Sequence, residues 1–149
     1  MYLRVDDRLV HGQVVTAWLK QLKVKQLLVV DDTAAKNRII AKALKMATPS
    51  GVSLEVASVE EGKALVANCG DQSLIIVKTP MTARALVVAN PGHPWEVCVG
   101  NVGAAPGRKT YAGTVHLDEE NYAAIKDLLG RDDVDVFMQT VPGQPVNHF

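Results

Sequence analysis

Two short segments of this chain, Leu27–Val30 and Leu74–Val77, are apolar at every position. A strand with one face in water alternates apolar and polar residues, so continuous apolarity is typical of a strand buried on both faces, as in a parallel sheet. Similar β-rich runs recur along the chain and complete a set of six predicted strands: 2–5, 26–31, 53–57, 73–78, 95–99 and 134–139.

Amphipathic segments lie between these strands and predict helices over 11–22, 34–47, 58–68, 81–89 and 118–129. In the first, Val14, Trp18 and Leu22 recur every four residues and form one apolar stripe. Asp118 is a candidate N-cap for the last helix, and Gly130 could end it. Repeated strand–helix units with short connections predict a single-domain, open, mainly parallel, doubly wound α/β sheet flanked by helices, over residues 1–149.

The composition narrows the classes of function. A chain of 149 residues with a formal net charge of +0 has no global basic field for nucleic acid. No apolar run is as long as a membrane span, and the N-terminus lacks a signal-peptide pattern. Cys69 and Cys98 have neither metal-ligand spacing nor a disulfide-framework count, which favours buried thiols in a reducing cytosol. We expect a cytoplasmic protein whose membrane association, if any, is indirect.

Polar residues follow the predicted strands. In open parallel sheets, ligands bind beyond the carboxyl ends of the strands, so we expect these residues to share one edge. They are Asp6–Arg8 with His11, Asp31–Asp32, Ser58, Lys78–Thr79 and Gly100–Asn101. The glycine-rich stretch 100–113 is predicted to be a long loop, and long loops in compact domains are often functional.

The segment 4–13, Arg-Val-Asp-Asp-Arg-Leu-Val-His-Gly-Gln, carries the strongest chemical signal. It places His11 and Gly12 where the first strand gives way to a helix, whose free N–H groups favour anions. An imidazole is a nucleophile, and the planar guanidinium of Arg8 matches phosphate oxygens. These residues predict a phosphoryl site in which His11 is the acceptor and Arg8 stabilises the phosphoryl group. There is an alternative for each residue. Considered without its neighbours, His11 would be a polar residue at the start of a helix, and Arg8 could form a surface ion pair with Asp6 or Asp7.

The same segment resembles the signature of the enzyme IIB component of the mannose/fructose/sorbose family of the bacterial phosphoenolpyruvate-dependent sugar phosphotransferase system. Three shorter segments are similar to later motifs of that family: Val77–Pro80, Val99–Val102 and Gln139–Pro142. The glycine turn departs from the usual family pattern at its ends, where Cys98 and Val102 stand.

The resemblance implies an open, mainly parallel α/β fold and a phosphocarrier function. A phosphohistidine on the partner enzyme IIA would transfer its phosphoryl group to Nδ1 of His11. Phospho-His11 would then transfer it to a sugar held by the membrane components IIC and IID. The resemblance implies no cofactor and no metal, and the sequence identifies neither the sugar nor the oligomeric state.

Other residues of the edge are candidates for supporting roles. Asp6 is expected to orient the imidazole or Arg8, or to cap the turn, because a carboxylate beside a phosphoryl group would repel it. Gly12, Lys78 and Thr79 are candidates for phosphate or partner binding, although Lys78 could simply extend its ammonium into solvent.

Leu9 and Val10 are apolar residues in a polar loop. One interpretation makes them a shallow docking surface around the phosphorylated histidine, shared by successive partners. The alternative is that they anchor the loop in the core.

Three rival hypotheses remain open. Asp31–Asp32 could join Asp6–Asp7 in a magnesium site with a phosphoaspartate, although Asp-Asp-Thr after a strand is more often a helix cap. The chain could be a binding or regulatory domain in which His11 is never phosphorylated. It could also be a hydrolase or isomerase using His11 and Asp6 as an acid–base pair, which requires an enclosed pocket.

Overall fold

The computed structural model spans residues 1–149 and describes every side chain except those of Gln13 and Val14. Strands and helices alternate along most of the chain. In chain order the elements are β1 (Tyr2–Asp6), α1 (Gly12–Gln21), β2 (Gln26–Val30), α2 (Asp32–Lys36), α3 (Arg38–Ala47), β3 (Ser53–Ala57), α4 (Val59–Leu65), a 3₁₀ turn (Val66–Asn68), β4 (Ser73–Val77), α5 (Pro80–Ala89), β5 (Trp95–Asn101), β6 (Lys109–Ala112), β7 (Val115–Leu117), α6 (Glu119–Leu129) and β8 (Val134–Met138).

Six strands form one sheet in the order β3-β2-β4-β1-β5-β8, and all the neighbours pair in parallel. This confirms the predicted open, parallel α/β fold. The two fully apolar segments are β2 and β4, neighbours in the sheet interior. β1 lies between β4 and β5, with Val5 opposite Val77 on one side and Val99 on the other. The chain leaves β1 toward β2 and later crosses from β4 to β5, so β1 lies where the direction of winding changes.

Helices cover both faces of the sheet. On one face, Val15 and Leu19 of α1 and Leu44 of α3 pack over Leu27 and Leu74. On the other face, side chains from α5 and α6 pack over alternate residues of the same strands. The sheet is therefore doubly wound, as predicted. The expected place of Val14 in the apolar stripe of α1 lies outside the described side chains.

The helix predicted over 34–47 is wrong as a single element, because two helices occupy that region. The side-chain oxygen of Asn37 accepts hydrogen bonds from the amides of Ile39 and Ile40 and caps α3. An asparagine in this role satisfies the first amides of a new helix and so ends the preceding one. Asp31 caps α2 by accepting from Ala34 N, which supports the capping interpretation of the Asp-Asp-Thr run.

The loop predicted over 100–113 is also partly wrong. β5 continues to Asn101, and β6 pairs antiparallel with β7 in a small separate sheet. Glycines made the segment resemble a loop, but one of them, Gly100, lies inside β5. The end of the chain follows the prediction more closely: Asp118 caps α6 by accepting from Asn121 N, and α6 ends before Gly130.

No helix among the described residues is both long and apolar enough to cross a membrane.

Candidate functional site

The loop between β1 and α1 turns sharply at the carboxyl edge of the sheet. Leu9 has a φ of 57° and Gly12 a φ of 39°, both in the left-handed region. For a leucine this conformation costs about 1–2 kcal/mol. The Leu9 side chain, 3% exposed, is buried beside Val15 and Leu19, and this burial offsets the cost. The turn brings His11 back over the end of β1.

His11 is directly in front of α1 and contacts Asp6. Nε2 of His11 lies 2.9 Å from Oδ2 of Asp6, and the two side chains are 19% and 0% exposed. A carboxylate oxygen only accepts hydrogen bonds, so Nε2 is the nitrogen that carries the proton. In a neutral imidazole the lone pair is then on Nδ1. Helix α1 begins at Gly12, and the first amides of a helix have no acceptor within it.

Asp6 is held from two further sides. Its Oδ1 accepts from the backbone amide of Arg8 at 3.1 Å. Its Oδ2 accepts from Nη2 of Arg4 at 3.3 Å, and the Arg4 side chain is fully buried. The carboxylate can therefore hold the imidazole in one orientation, which is one of the roles that the sequence left open for Asp6.

The Arg4 guanidinium lies beneath this site, between β1 and the segment after β8. Nη1 donates to the carbonyl of Gln139 and Nη2 to that of Thr140, both at 3.0 Å. The guanidinium carbon is 5.2 Å from the centre of the Trp18 ring, whose Nε1 also donates to Thr140 O. Burial raises the pKa of the neighbouring Cys98 thiol, which donates to Gln139 O. The C-terminal segment is thus tied to the base of the site.

Asp7 links the loop after β1 to the segment at the end of β5. Its carboxylate accepts from Nδ2 of Asn101 at 2.6 Å and from the amide of Gly103 at 2.8 Å. These bonds join the loop after β1 to the end of β5, as the convergence of strand ends predicts.

Two cations of the edge have no anionic partner among the described side chains. Within the part of the chain whose side chains are described, neither Arg8 nor Lys78 forms an ion pair. Arg8 is exposed in the loop, and Lys78 follows β4, the neighbour of β1. The surface pair of Arg8 with Asp6 or Asp7 is therefore not formed, and both cations remain available to an anion.

Thr79 caps helix α5. Its hydroxyl oxygen accepts from the amide of Thr82 at 3.2 Å, and Pro80 follows as the first helical residue. Proline fits that position because the amide it lacks would have had no acceptor within the helix. The cap accounts for the local role of Thr79, and its phosphate- or partner-binding role stays a prediction.

The prediction that Leu9 and Val10 form a docking surface is wrong. Their side chains are 3% and 5% exposed and pack into the core under α1. The left-handed turn at Leu9 points both residues inward, so the alternative, anchoring of the loop, describes them. A hydrophobicity pattern does not give the side of a loop residue, and the turn decides it here.

The magnesium hypothesis finds no support in the acidic residues of this edge. Asp31 caps α2, and Oδ1 of Asp32 accepts from the amide of Val59. Among the described side chains there is no group of three or more His, Cys, Asp or Glu arranged to hold a metal ion.

Sequence reasoning gave no role to Arg4, and it placed Gly100 at the shared edge without a contact to that arginine. The available signal is the alternation of a strand: Arg4 and Asp6 are two residues apart and therefore share one face of β1. An arginine within an otherwise apolar, buried strand requires an anionic partner, and the nearest candidate is that aspartate.

Solved structures share this fold. The crystal structure of the PTS system N-acetylgalactosamine-specific IIB component 1 from Escherichia coli superposes with a TM-score of 0.91 at 29% identity, covering 99% of this chain and 97% of that one. The fold is thus of the class that serves as IIB components of sugar phosphotransferase systems.

The sequence comparisons define the family. The model of the PTS system sorbose subfamily IIB component matches residues 1–148, and the chain belongs to this family. A probable phosphotransferase enzyme IIB component of Streptococcus pyogenes serotype M6 is 35% identical, over 98% of this chain and 94% of its own length. The N-acetylgalactosamine-specific phosphotransferase enzyme IIB component 1 of Escherichia coli strain K12 is 31% identical, over 94% and 89%.

Proposed function

We propose that this chain is a phosphocarrier, a protein-Nπ-phosphohistidine–sugar phosphotransferase. It accepts a phosphoryl group on His11 from a phosphorylated enzyme IIA and passes it to a sugar taken up through the membrane components IIC and IID. We place its action in the cytoplasm, in association with the membrane through IIC and IID, with residues 1–149 as one IIB domain. The observation that carries the proposal is the contact of His11 Nε2 with Asp6, which leaves the Nδ1 lone pair for attack.

The chemistry is two displacements at phosphorus. First, the Nδ1 lone pair of His11 attacks the phosphorus of the donor phosphohistidine, and the donor N–P bond breaks with its electron pair on the donor nitrogen. Second, a sugar hydroxyl oxygen attacks the phosphorus on His11, the N–P bond breaks with its electron pair returning to Nδ1, and the hydroxyl proton is released to solvent. No oxidant, cofactor or metal enters this balance, and catalysis depends on positioning and charge stabilisation.

Two features assist the phosphoryl group. Arg8 is exposed without an ion pair among the described side chains, so its guanidinium can bind two phosphoryl oxygens. The amide donors at the start of α1 lie beside His11 and favour an anion. Lys78, after the adjacent strand, is a further cation for the phosphoryl group or for a partner.

Since Leu9 and Val10 are buried, partners must dock on another surface. We propose the shallow groove of about 450 Å³ beside α1, which begins at Gly12 and is lined by Thr16, Ala17, Lys20 and Ala47. Lys20 is a cation in the lining, and the segment 12–47 that supplies the lining contains seven Lys and Arg against two Asp and Glu. This excess of positive charge fits an acidic donor surface.

The test of the phosphoacceptor is labelling from phosphoenolpyruvate with the general phosphotransferase proteins and enzyme IIA. His11→Ala should take up no label, whereas His93→Ala and His116→Ala should label as the wild type does. Full labelling of the His11→Ala protein overturns the proposal. An unlabelled wild type, with the donor shown to be phosphorylated, indicates instead a binding or regulatory domain.

The docking groove is tested separately. Ala17→Glu places a negative charge in the groove and should raise the donor concentration needed for half-maximal transfer, and Ala123→Glu on helix α6 is the control. Unchanged donor dependence of the Ala17→Glu protein excludes this groove.

A further inference from the structure

We propose that Arg4 is a positioning residue for the phosphoacceptor: its buried guanidinium fixes Asp6 as a charged acceptor and thereby holds His11 in the tautomer whose lone pair is on Nδ1. The inference rests on the proposed function for its kinetic consequence. Its structural consequence, the tautomer, can be measured without any phosphoryl transfer.

The geometry links the three side chains through one atom. Oδ2 of Asp6 accepts from Nη2 of Arg4 at 3.3 Å and lies 2.9 Å from Nε2 of His11. Arg4 and Asp6 are each 0% exposed, so no water shields their attraction. A neutral carboxyl group at this place could donate its proton to Nε2 and place the ring proton on Nδ1, which would remove the nucleophile. The guanidinium beside Oδ2 opposes that state because it stabilises the carboxylate.

The protein holds the guanidinium firmly in place. The carbonyls of Gln139 and Thr140 accept from its two terminal nitrogens, and the Trp18 ring lies on it. Space for the group comes from Gly100, where an added Cβ would overlap the Arg4 guanidinium carbon. The position of Gly100 inside a strand is explained by this contact.

A buried ion pair is a poor source of stability, because well-packed apolar residues of similar volume often serve as well or better. Stability alone therefore does not account for an arginine at this position of β1. Its charge and the hydrogen bond from Nη2 act instead on Asp6, and through it on the imidazole.

The experiment compares the His11 ring in ¹⁵N-labelled wild-type, Arg4→Met, Arg4→Lys and Gly100→Ala proteins. The ¹⁵N shifts of an imidazole distinguish its two tautomers. Arg4→Met removes the charge at similar volume, and Gly100→Ala keeps the arginine but displaces its guanidinium. The matched control is Arg84→Met, which removes an exposed arginine paired with Asp127. Circular dichroism and thermal melting establish that each variant is folded.

We expect the wild type and Arg84→Met to hold the proton on Nε2, and Arg4→Met and Gly100→Ala to show a mixture of tautomers. The transfer rate should fall on the order of 10- to 100-fold in the two latter proteins, with partial recovery in Arg4→Lys. If Arg4→Met folds and keeps the wild-type tautomer, the proposal is wrong. If Arg4→Met does not fold, the proposal is wrong when folded Gly100→Ala keeps that tautomer. Absence of transfer in the wild type contradicts the proposed function, while the tautomers still decide the role of Arg4.

Discussion

Nε2 of His11 lies 2.9 Å from Oδ2 of Asp6, and the aspartate is completely buried whereas the imidazole is partly exposed. The contact gives the two ring nitrogens different protonation states. Nε2 faces an acceptor inside the protein, and Nδ1 keeps its lone pair. A phosphoacceptor histidine requires this asymmetry, because the attacking nitrogen must carry no proton.

The first prediction concerns Asp6→Asn. The amide is nearly isosteric but uncharged, so buried Arg4 loses its anion and the imidazole loses its charged acceptor. We expect a loss of about 3–5 kcal/mol in the free energy of unfolding and a fall of roughly 10-fold or more in the phosphorylation rate of the folded fraction. Denaturant unfolding and initial labelling rates measure the two effects.

Asp127→Asn is the matched control, because it removes an exposed carboxylate that pairs with Arg84. Its cost should be about 0–1 kcal/mol. Equal losses in the free energy of unfolding of the two variants would mean that Asp6 contributes no more to stability than an exposed carboxylate does.

The second prediction concerns Arg8→Lys. Lysine keeps the positive charge but lacks the planar pair of donors that fits two phosphoryl oxygens. We expect the transfer rate to fall roughly 10-fold or more, about 1.4 kcal/mol in transition-state stabilisation. The melting temperature should be nearly unchanged, since Arg8 is exposed. A wild-type transfer rate in Arg8→Lys would show that charge alone suffices.

Much of this fold could be predicted from local patterns. Continuous apolarity identified β2 and β4, and Asp118 marked the start of α6, because burial on both faces and helix capping each leave a trace in the sequence. The buried group around Arg4 could not be predicted so directly. It joins β1 to Thr140, 136 residues further along the chain, and only the packed sheet brings these partners together.

The site was predicted in part. The sequence put His11, Asp6 and Asn101 at one edge, because parallel strands end together. It did not decide where the loop residues Leu9 and Val10 point. Their orientation depends on a positive φ at Leu9, a conformation that leucine rarely adopts and that the surrounding core stabilises.

The third prediction follows from that correction. Val10→Asp would bury a carboxylate in the core under α1, where Val10 is 5% exposed. We expect a destabilisation of about 3 kcal/mol or more. Val88→Asp on α5, at a side chain that is 42% exposed, should cost about 0.5 kcal/mol. If Val10→Asp is as stable as the control, the loop is not anchored in the core as described.

The fourth prediction is a pH dependence at the start of α6. Hydrogen bonds from the backbone amide of Asn121, and then from its side chain, hold the pKa of Asp118 below its ordinary value. A carboxyl group with a lowered pKa stabilises the folded state above its unfolded pKa and loses that contribution as the pH falls through the folded pKa. Asp118→Ala should therefore cost about 1 kcal/mol at neutral pH and clearly less at about pH 2.

Urea unfolding of the wild type and Asp118→Ala at the two pH values measures this difference, and Glu119→Ala, one residue further on, is the control. A cost that is the same at both pH values would show that the charge of Asp118 contributes nothing to the cap.

The most direct test of the account is the identity of the phosphorylated nitrogen. The protein is phosphorylated from phosphoenolpyruvate through the general phosphotransferase proteins and enzyme IIA, and ¹⁵N and ³¹P spectra of the product locate the N–P bond. Because Asp6 holds the proton on Nε2, we predict a single phosphohistidine at His11 with phosphorus on Nδ1 and the Nε2–Asp6 hydrogen bond retained. Phosphorus on Nε2 of His11, or on any other residue, would contradict the account.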